Sequence, residues 1–141
     1  MKNKLVLIFS VLLILSVLGA CDMTTSDSVE GMWVSRAVEL SVLYEEIYTL
    51  NKGGSYIYER KQDGKSVYEE EGSWITEKQT VGNYEEEQRV IAFTPKSPKN
   101  TKAYVRLYAL ENGGKQLVLG TYDLESDSVS KQKYYKQEVS K

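Results

Sequence analysis

Short turn signals cut the chain after Gly31 into pieces of similar length, and this spacing constrains the fold more than any other feature. The clearest signals are Asn51-Lys52-Gly53-Gly54, Asp63-Gly64 and Asn112-Gly113-Gly114. Asp-Gly favours the positive φ angles of a two-residue hairpin turn, and the other two predict longer Gly-containing loops. Short pieces between such turns are typical of antiparallel strands rather than of βαβ units. The sequence therefore predicts an all-β meander.

Eight strands are predicted between these turns. They are Met32–Val38, Glu46–Asn51, Ser55–Gln62, Lys65–Thr76, Gln88–Thr94, Lys102–Leu110, Gln116–Tyr122 and Val129–Glu138. The segment Glu39–Glu45 fits either a strand or one helical turn. Gly72, just before Trp74, predicts a β-bulge at which the fourth strand bends. Because closure leaves no exposed edge, we expect an eight-stranded antiparallel up-and-down barrel.

A different pattern occupies the first twenty residues. A basic start is followed by an apolar stretch, Leu5–Leu18, and then by the small residues Gly19 and Ala20. This order is typical of a secretory signal peptide, and the stretch is shorter than the roughly 20 residues that span a bilayer. We therefore expect a signal peptide at 1–20, a polar tether at 21–30 and the barrel domain at 31–141.

The end of this leader, Leu18-Gly19-Ala20-Cys21, closely resembles the lipobox of bacterial lipoproteins. The resemblance implies that the Cys21 thiol takes a diacylglyceryl group and that cleavage leaves Cys21 as the mature N-terminus. Two acyl chains on one residue hold a protein firmly on a membrane. The expected location is the extracytoplasmic face of the cell membrane or envelope.

Composition excludes several classes of function. The chain has one Cys and no His, so it lacks the usual general base, the commonest metal ligand and any internal disulfide. Without Lys2 and Lys4 of the leader, 16 basic side chains stand against 20 acidic ones. Such a surface does not attract phosphate backbones. We therefore expect no catalytic residues, no metal, no cofactor and no nucleic-acid partner.

The barrel region also resembles a known family. Gly31-Met32-Trp33 resembles the G-x-W signature of lipocalins and lipocalin-like bacterial lipoproteins, and Gly72-Ser73-Trp74 resembles the Gly-x-aromatic on their fourth strand. Two further stretches match their second and closing hairpins: Tyr48 to Tyr56, and Leu107 with Leu117 and Leu119. The resemblance implies a lipocalin-like barrel in which Trp33 packs the closed end.

Aromatic residues on the predicted strands are the candidate ligand-binding residues. They are Tyr48, Tyr56, Tyr58, Tyr68, Trp74 and Phe93. One hypothesis is that they line a cavity for a small apolar ligand, since an eight-stranded barrel can hold one. The alternative is that they fill the interior, and that the protein binds an envelope protein partner through its surface.

Charged clusters are interpreted as surface features. Glu69-Glu70-Glu71 and Glu85-Glu86-Glu87 predict a solvated strand face or loop. Asp123 begins a pattern like a calcium loop, but Ser128 and Tyr134 stand where Gly and Glu would be needed, so we expect an acidic turn. The lysines of the tail predict a final strand with a charged outer face.

Overall fold

The computed structural model describes residues 28–97 and 102–138, and it contains all eight predicted strands. They are β1 (Gly31–Glu39), β2 (Val42–Leu50), β3 (Ser55–Gln62), β4 (Lys65–Gln79), β5 (Gln88–Pro95), β6 (Tyr104–Glu111), β7 (Gln116–Asp123) and β8 (Ser128–Gln137). Each strand pairs antiparallel with the next, and β8 pairs with β1 to close the barrel. The predicted fold class is thus confirmed. The predicted signal peptide and Cys21 lie outside the described residues.

No helix within 28–97 or 102–138 has the length and apolar character needed to cross a bilayer.

Two-residue turns join β1 to β2 and β3 to β4. Asp63 and Gly64 have φ angles of 48° and 76°, as the Asp-Gly signal predicts. Leu40 and Ser41 form a second such turn, with φ angles of 50° and 66°. Positive φ is unfavourable for Leu, so no residue preference marked this turn. The ambiguous segment Glu39–Glu45 is therefore a tight turn followed by the start of β2.

The expected bulge at Gly72 is wrong. The register between β3 and β4 shifts between Arg60 and Lys61 instead, so the extra residue on β4 is Val67. Gly72 is where β4 changes neighbours, because it pairs with β3 on one side and with Pro95 of β5 on the other. A Cβ at Gly72 would lie 2.2 Å from the backbone oxygen of Thr94. Close backbone approach, not a bulge, requires glycine here.

Alternate side chains of every strand point inward and form one core. Trp33 is fully buried near the start of β1, and its Nε1 donates a hydrogen bond to the backbone oxygen of Val29 at 2.7 Å. Val29 itself is buried against the barrel, although it falls within the predicted tether. The core at this end is completed by Leu50 and Leu117.

The antiparallel order places successive turns at opposite ends of the barrel. The start of β1 and the loops at 51–54 and 112–115 lie at one end, which we name the Trp33 end. The turns at 40–41, 63–64 and 124–127 lie at the other, which we name the Leu40 end. The loop at 80–87 folds back along the outside of the barrel, where the ring of Tyr84 contacts that of Tyr122 beside the 124–127 turn.

Candidate functional site

All six predicted aromatic residues lie inside the barrel, where they pack on one another. The Tyr48 ring stacks on that of Tyr58 with centroids 4.5 Å apart, and Tyr56 meets Phe93 edge to face at 4.9 Å. Tyr48, Tyr56 and Phe93 are 4%, 1% and 1% exposed. The structure therefore brings the six residues together as a packed core.

A buried carboxylate binds three of the interior tyrosines. Oε1 of Glu70 accepts hydrogen bonds from the hydroxyls of Tyr56 at 2.6 Å and Tyr104 at 2.9 Å, and Oε2 accepts one from Tyr68 at 2.8 Å. The expectation of a solvated acidic run is wrong for Glu70, which is 9% exposed. The period-two spacing Tyr68, Glu70, Gly72, Trp74 would have placed it on the inner face.

A second carboxylate lies further along the interior. Glu46 of β2 accepts a hydrogen bond from the Tyr134 hydroxyl of β8 at 2.7 Å, across the barrel. Burial, followed by the charge of Glu46, raises the pKa of Tyr134. Burial and the hydrogen bond to Glu70 likewise raise the pKa of Tyr56. These phenols thus remain protonated donors over the whole neutral range.

A polar cavity opens at the Leu40 end, and we name it the mouth cavity. It has a volume of about 430 Å³. Its walls are Ser35, Ala37, Glu39, Tyr44, Glu45, Glu46, Arg60, Lys61, Gln62, Val67 and Gln132. The guanidinium of Arg60 lies 5.5 Å from the ring centroid of Tyr68, so the mouth cavity begins directly above the aromatic core. None of the six predicted aromatic residues lines it.

The barrel wall parts beside the mouth cavity. The register between β1 and β8 covers Met32–Val34 opposite Tyr135–Gln137 and ends there, although both strands continue in the described residues. The unpaired stretches are Ser35–Glu39 of β1 and Ser130–Tyr134 of β8, and we name the gap between them the lateral opening. Wall residues of the mouth cavity come from both stretches. The cavity is therefore open to the side as well as at the end.

Exposed apolar side chains project from the Leu40 end. Leu40, Leu124 and Val38 are 99%, 82% and 69% exposed. Leu40 is also held at positive φ, a conformation that disfavours a branched apolar side chain. A residue that is both strained and exposed points to contact with another molecule.

The acidic turn between β7 and β8 is held by its own hydrogen bonds. Asp123 accepts from the backbone N–H of Glu125 and the hydroxyl of Ser126, both at 2.9 Å, and these bonds lower the pKa of Asp123. Asp127 accepts from the hydroxyl of Tyr122. In the part of the chain that the structure describes, no three His, Cys, Asp or Glu side chains are grouped as metal ligands.

Comparison with protein-family models, with curated proteins and with solved structures finds no match to this chain. Its function is therefore inferred from its own residues.

Proposed function

We propose that this protein is a lipid-anchored interaction protein of the bacterial cell envelope, and that it binds a protein partner through the Leu40 end of a filled barrel. The observation that carries this proposal is the mutual packing of the interior aromatic rings. An apolar ligand at the barrel centre would have to separate Tyr48, Tyr56 and Phe93, which together leave almost no surface exposed. The ends and the outer surface remain for recognition.

The orientation of the barrel relative to the predicted anchor agrees with this proposal. The predicted anchor at Cys21 precedes β1, so the lipid attaches on the side of the Trp33 end. Residues 22–28 reach at most about 25 Å when extended. The Leu40 end, with its exposed apolar side chains, then faces away from the anchoring point and is presented to other envelope proteins.

Site-specific photo-cross-linking in living cells tests the partner. A benzophenone amino acid at Leu40, compared with one at Lys52 in a turn of the Trp33 end, should give a discrete cross-linked protein from Leu40 only. Native mass spectrometry of the purified protein should give the mass of the lipidated chain alone. Identical cross-links from both positions, or a stoichiometric small molecule in the native spectrum, would contradict the proposal.

The anchor has a separate test. Cys21→Ser should abolish incorporation of labelled palmitate and leave the protein unprocessed or released, whereas Thr25→Ser should change neither property. Membrane attachment of a Cys21→Ser protein that has been cleaved but carries no label would refute lipid anchoring.

A further inference from the structure

Unpaired backbone groups of β1 point into the lateral opening. A two-residue turn joins β1 to β2, so the residues that flank it, Glu39 and Val42, form a hydrogen-bonded pair. Hydrogen-bonded and non-hydrogen-bonded pairs then alternate along the two strands. The N–H and C=O groups of Arg36 and Val38 then point away from β2. The backbone of Leu43, which lies opposite Val38, supports this pattern because both of its polar groups point away from β1, towards β3. Its N–H donates to Oδ1 of Asp63 at 2.9 Å, and its C=O accepts from the backbone N–H of Asp63 at 2.8 Å.

The edge of β8 that faces the lateral opening also carries unpaired backbone groups. The N–H and C=O groups of Val34 point to the same side of β1 as those of Arg36, so they reach Tyr135 of β8. The N–H and C=O groups of Tyr135 therefore point towards β1. Alternation along β8 directs the N–H and C=O groups of Lys133 and Lys131 into the lateral opening as well. Edges of this kind are templates for a further strand.

The side chains beside these backbone groups are mostly basic. Residues whose N–H and C=O face the opening carry their side chains on the outer face of the barrel, and three of the four are Arg36, Lys131 and Lys133. Arg36 uses its Nε for Glu45 at 2.7 Å, which leaves its terminal nitrogens for other acceptors. In an added strand, the residue directly opposite each edge residue lies on the same face. Its outward side chains would therefore meet positive charge.

We propose that the lateral opening binds an extended segment of the partner protein by β-strand addition, and that this segment carries acidic side chains at alternate positions. The inference rests on the proposed function and names the chemistry of its partner. Backbone hydrogen bonds to the edge supply affinity, and the alternate side chains supply specificity. The side chains between the acidic ones point into the mouth cavity, where Glu46, Arg60 and Gln132 favour polar groups.

A labelled peptide of alternating Glu and Thr, about eight residues long, is the probe. It is titrated against the full lipidated chain in detergent micelles and followed by fluorescence anisotropy. We expect it to bind at least about tenfold more tightly than a peptide of alternating Lys and Thr. The peptide is expected to pair with the β1 edge, which the Val38 variants test. N-methylation of its Glu residues removes the N–H groups that face β1 and should weaken binding at least about tenfold, whereas N-methylation of the Thr residues, whose N–H groups point away from β1, should not.

Variants of the protein give the matched test. Val38→Pro removes an edge N–H and should abolish binding of the Glu-Thr peptide, whereas Val38→Ala should keep it. Lys131→Glu combined with Lys133→Glu should weaken binding at least about tenfold, and Lys52→Glu at the Trp33 end should not. The N-methylated peptides need no variant, so they decide the question even where Val38→Pro fails to fold.

The outcomes separate the two proposals. Equal binding of the acidic and basic peptides, or equal effects of the two N-methylation patterns, would overturn the inference, even with a cross-linked partner at Leu40. Loss of that cross-linked partner would overturn the proposed function. A cross-linked partner whose contact peptide is acidic and alternating would support both.

Discussion

Alkaline pH should destabilise this barrel, because its interior holds neutral phenols. Tyr48, Tyr56 and Tyr134 are 4%, 1% and 3% exposed, and burial raises the pKa of all three. In the unfolded chain a tyrosine ionises near pH 10. A folded-state pKa above the unfolded value gives stabilisation that is complete below about pH 10. That stabilisation is lost as pH rises towards the folded-state pKa.

The size of the effect follows from the number of buried phenols. At pH 11, ionisation of one tyrosine in the unfolded chain lowers the free energy of unfolding by about 1.4 kcal/mol relative to pH 9. The three most deeply buried tyrosines, which stay protonated in the fold, lower it by about 4 kcal/mol. Tyr58 and Tyr104, whose pKa is also raised by burial, add to this loss. A domain of this size has a total stability of about 5–15 kcal/mol. The loss is therefore a large share of the whole.

Urea unfolding at pH 9 and pH 11, followed by circular dichroism, measures this difference, and tyrosinate absorbance follows ionisation. Tyr56→Phe should reduce the pH-dependent loss by about 1.4 kcal/mol, whereas Tyr135→Phe, which removes an exposed ring, should leave it unchanged. The reasoning is refuted if the tyrosines all ionise near pH 10 while the barrel stays folded.

Three substitutions test the fold and its strained turn, each by urea unfolding at neutral pH. Glu70→Gln should cost about 2–4 kcal/mol, because three phenol donors lose a carboxylate acceptor; a cost below about 0.5 kcal/mol would refute the network. Gly72→Ala should cost about 3 kcal/mol, since its Cβ would meet the backbone of Thr94, and a neutral result would contradict the close approach. Leu40→Asn should raise stability by about 0.5–1 kcal/mol, because Asn tolerates positive φ; a destabilised variant would mean that Leu40 is not strained.

Most of the fold could be predicted from local chemistry, and what was missed had no local signal. The alternation of apolar and polar residues, together with the glycine-containing turns, was sufficient to predict eight strands. Side chains of a half-buried strand must point inward at every second residue, which leaves this pattern in the sequence. The turn at Leu40 and Ser41 escaped prediction, since neither residue prefers its conformation. The bulge at Val67 escaped for a related reason: register is set by pairing with β3, not by the residue itself.

The barrel interior also combines features that local sequence predicts with features that it does not. Period two was enough to place Tyr56 and Phe93 inside, but the spacing did not say whether they would line a cavity or fill it. That outcome depends on partners distant in sequence, such as Tyr104, whose ring stacks on Phe93 at 5.0 Å and whose hydroxyl reaches Glu70. Acidic runs are usually solvated, so Glu70 was predicted to be exposed. Its two-residue spacing from Tyr68 nevertheless places its side chain on the inner face of β4, where it is buried.

The lateral opening arises from how a barrel closes. Closure requires strands to tilt and stagger, so the last strand meets the first along only part of its length. Here β1 and β8 share three residue pairs, and each runs on as an unpaired edge. Lysines on an edge discourage pairing with arbitrary strands, and Lys131 and Lys133 occupy such positions. The same charges favour an acidic strand, so the feature that protects this edge from aggregation also selects what can bind to it.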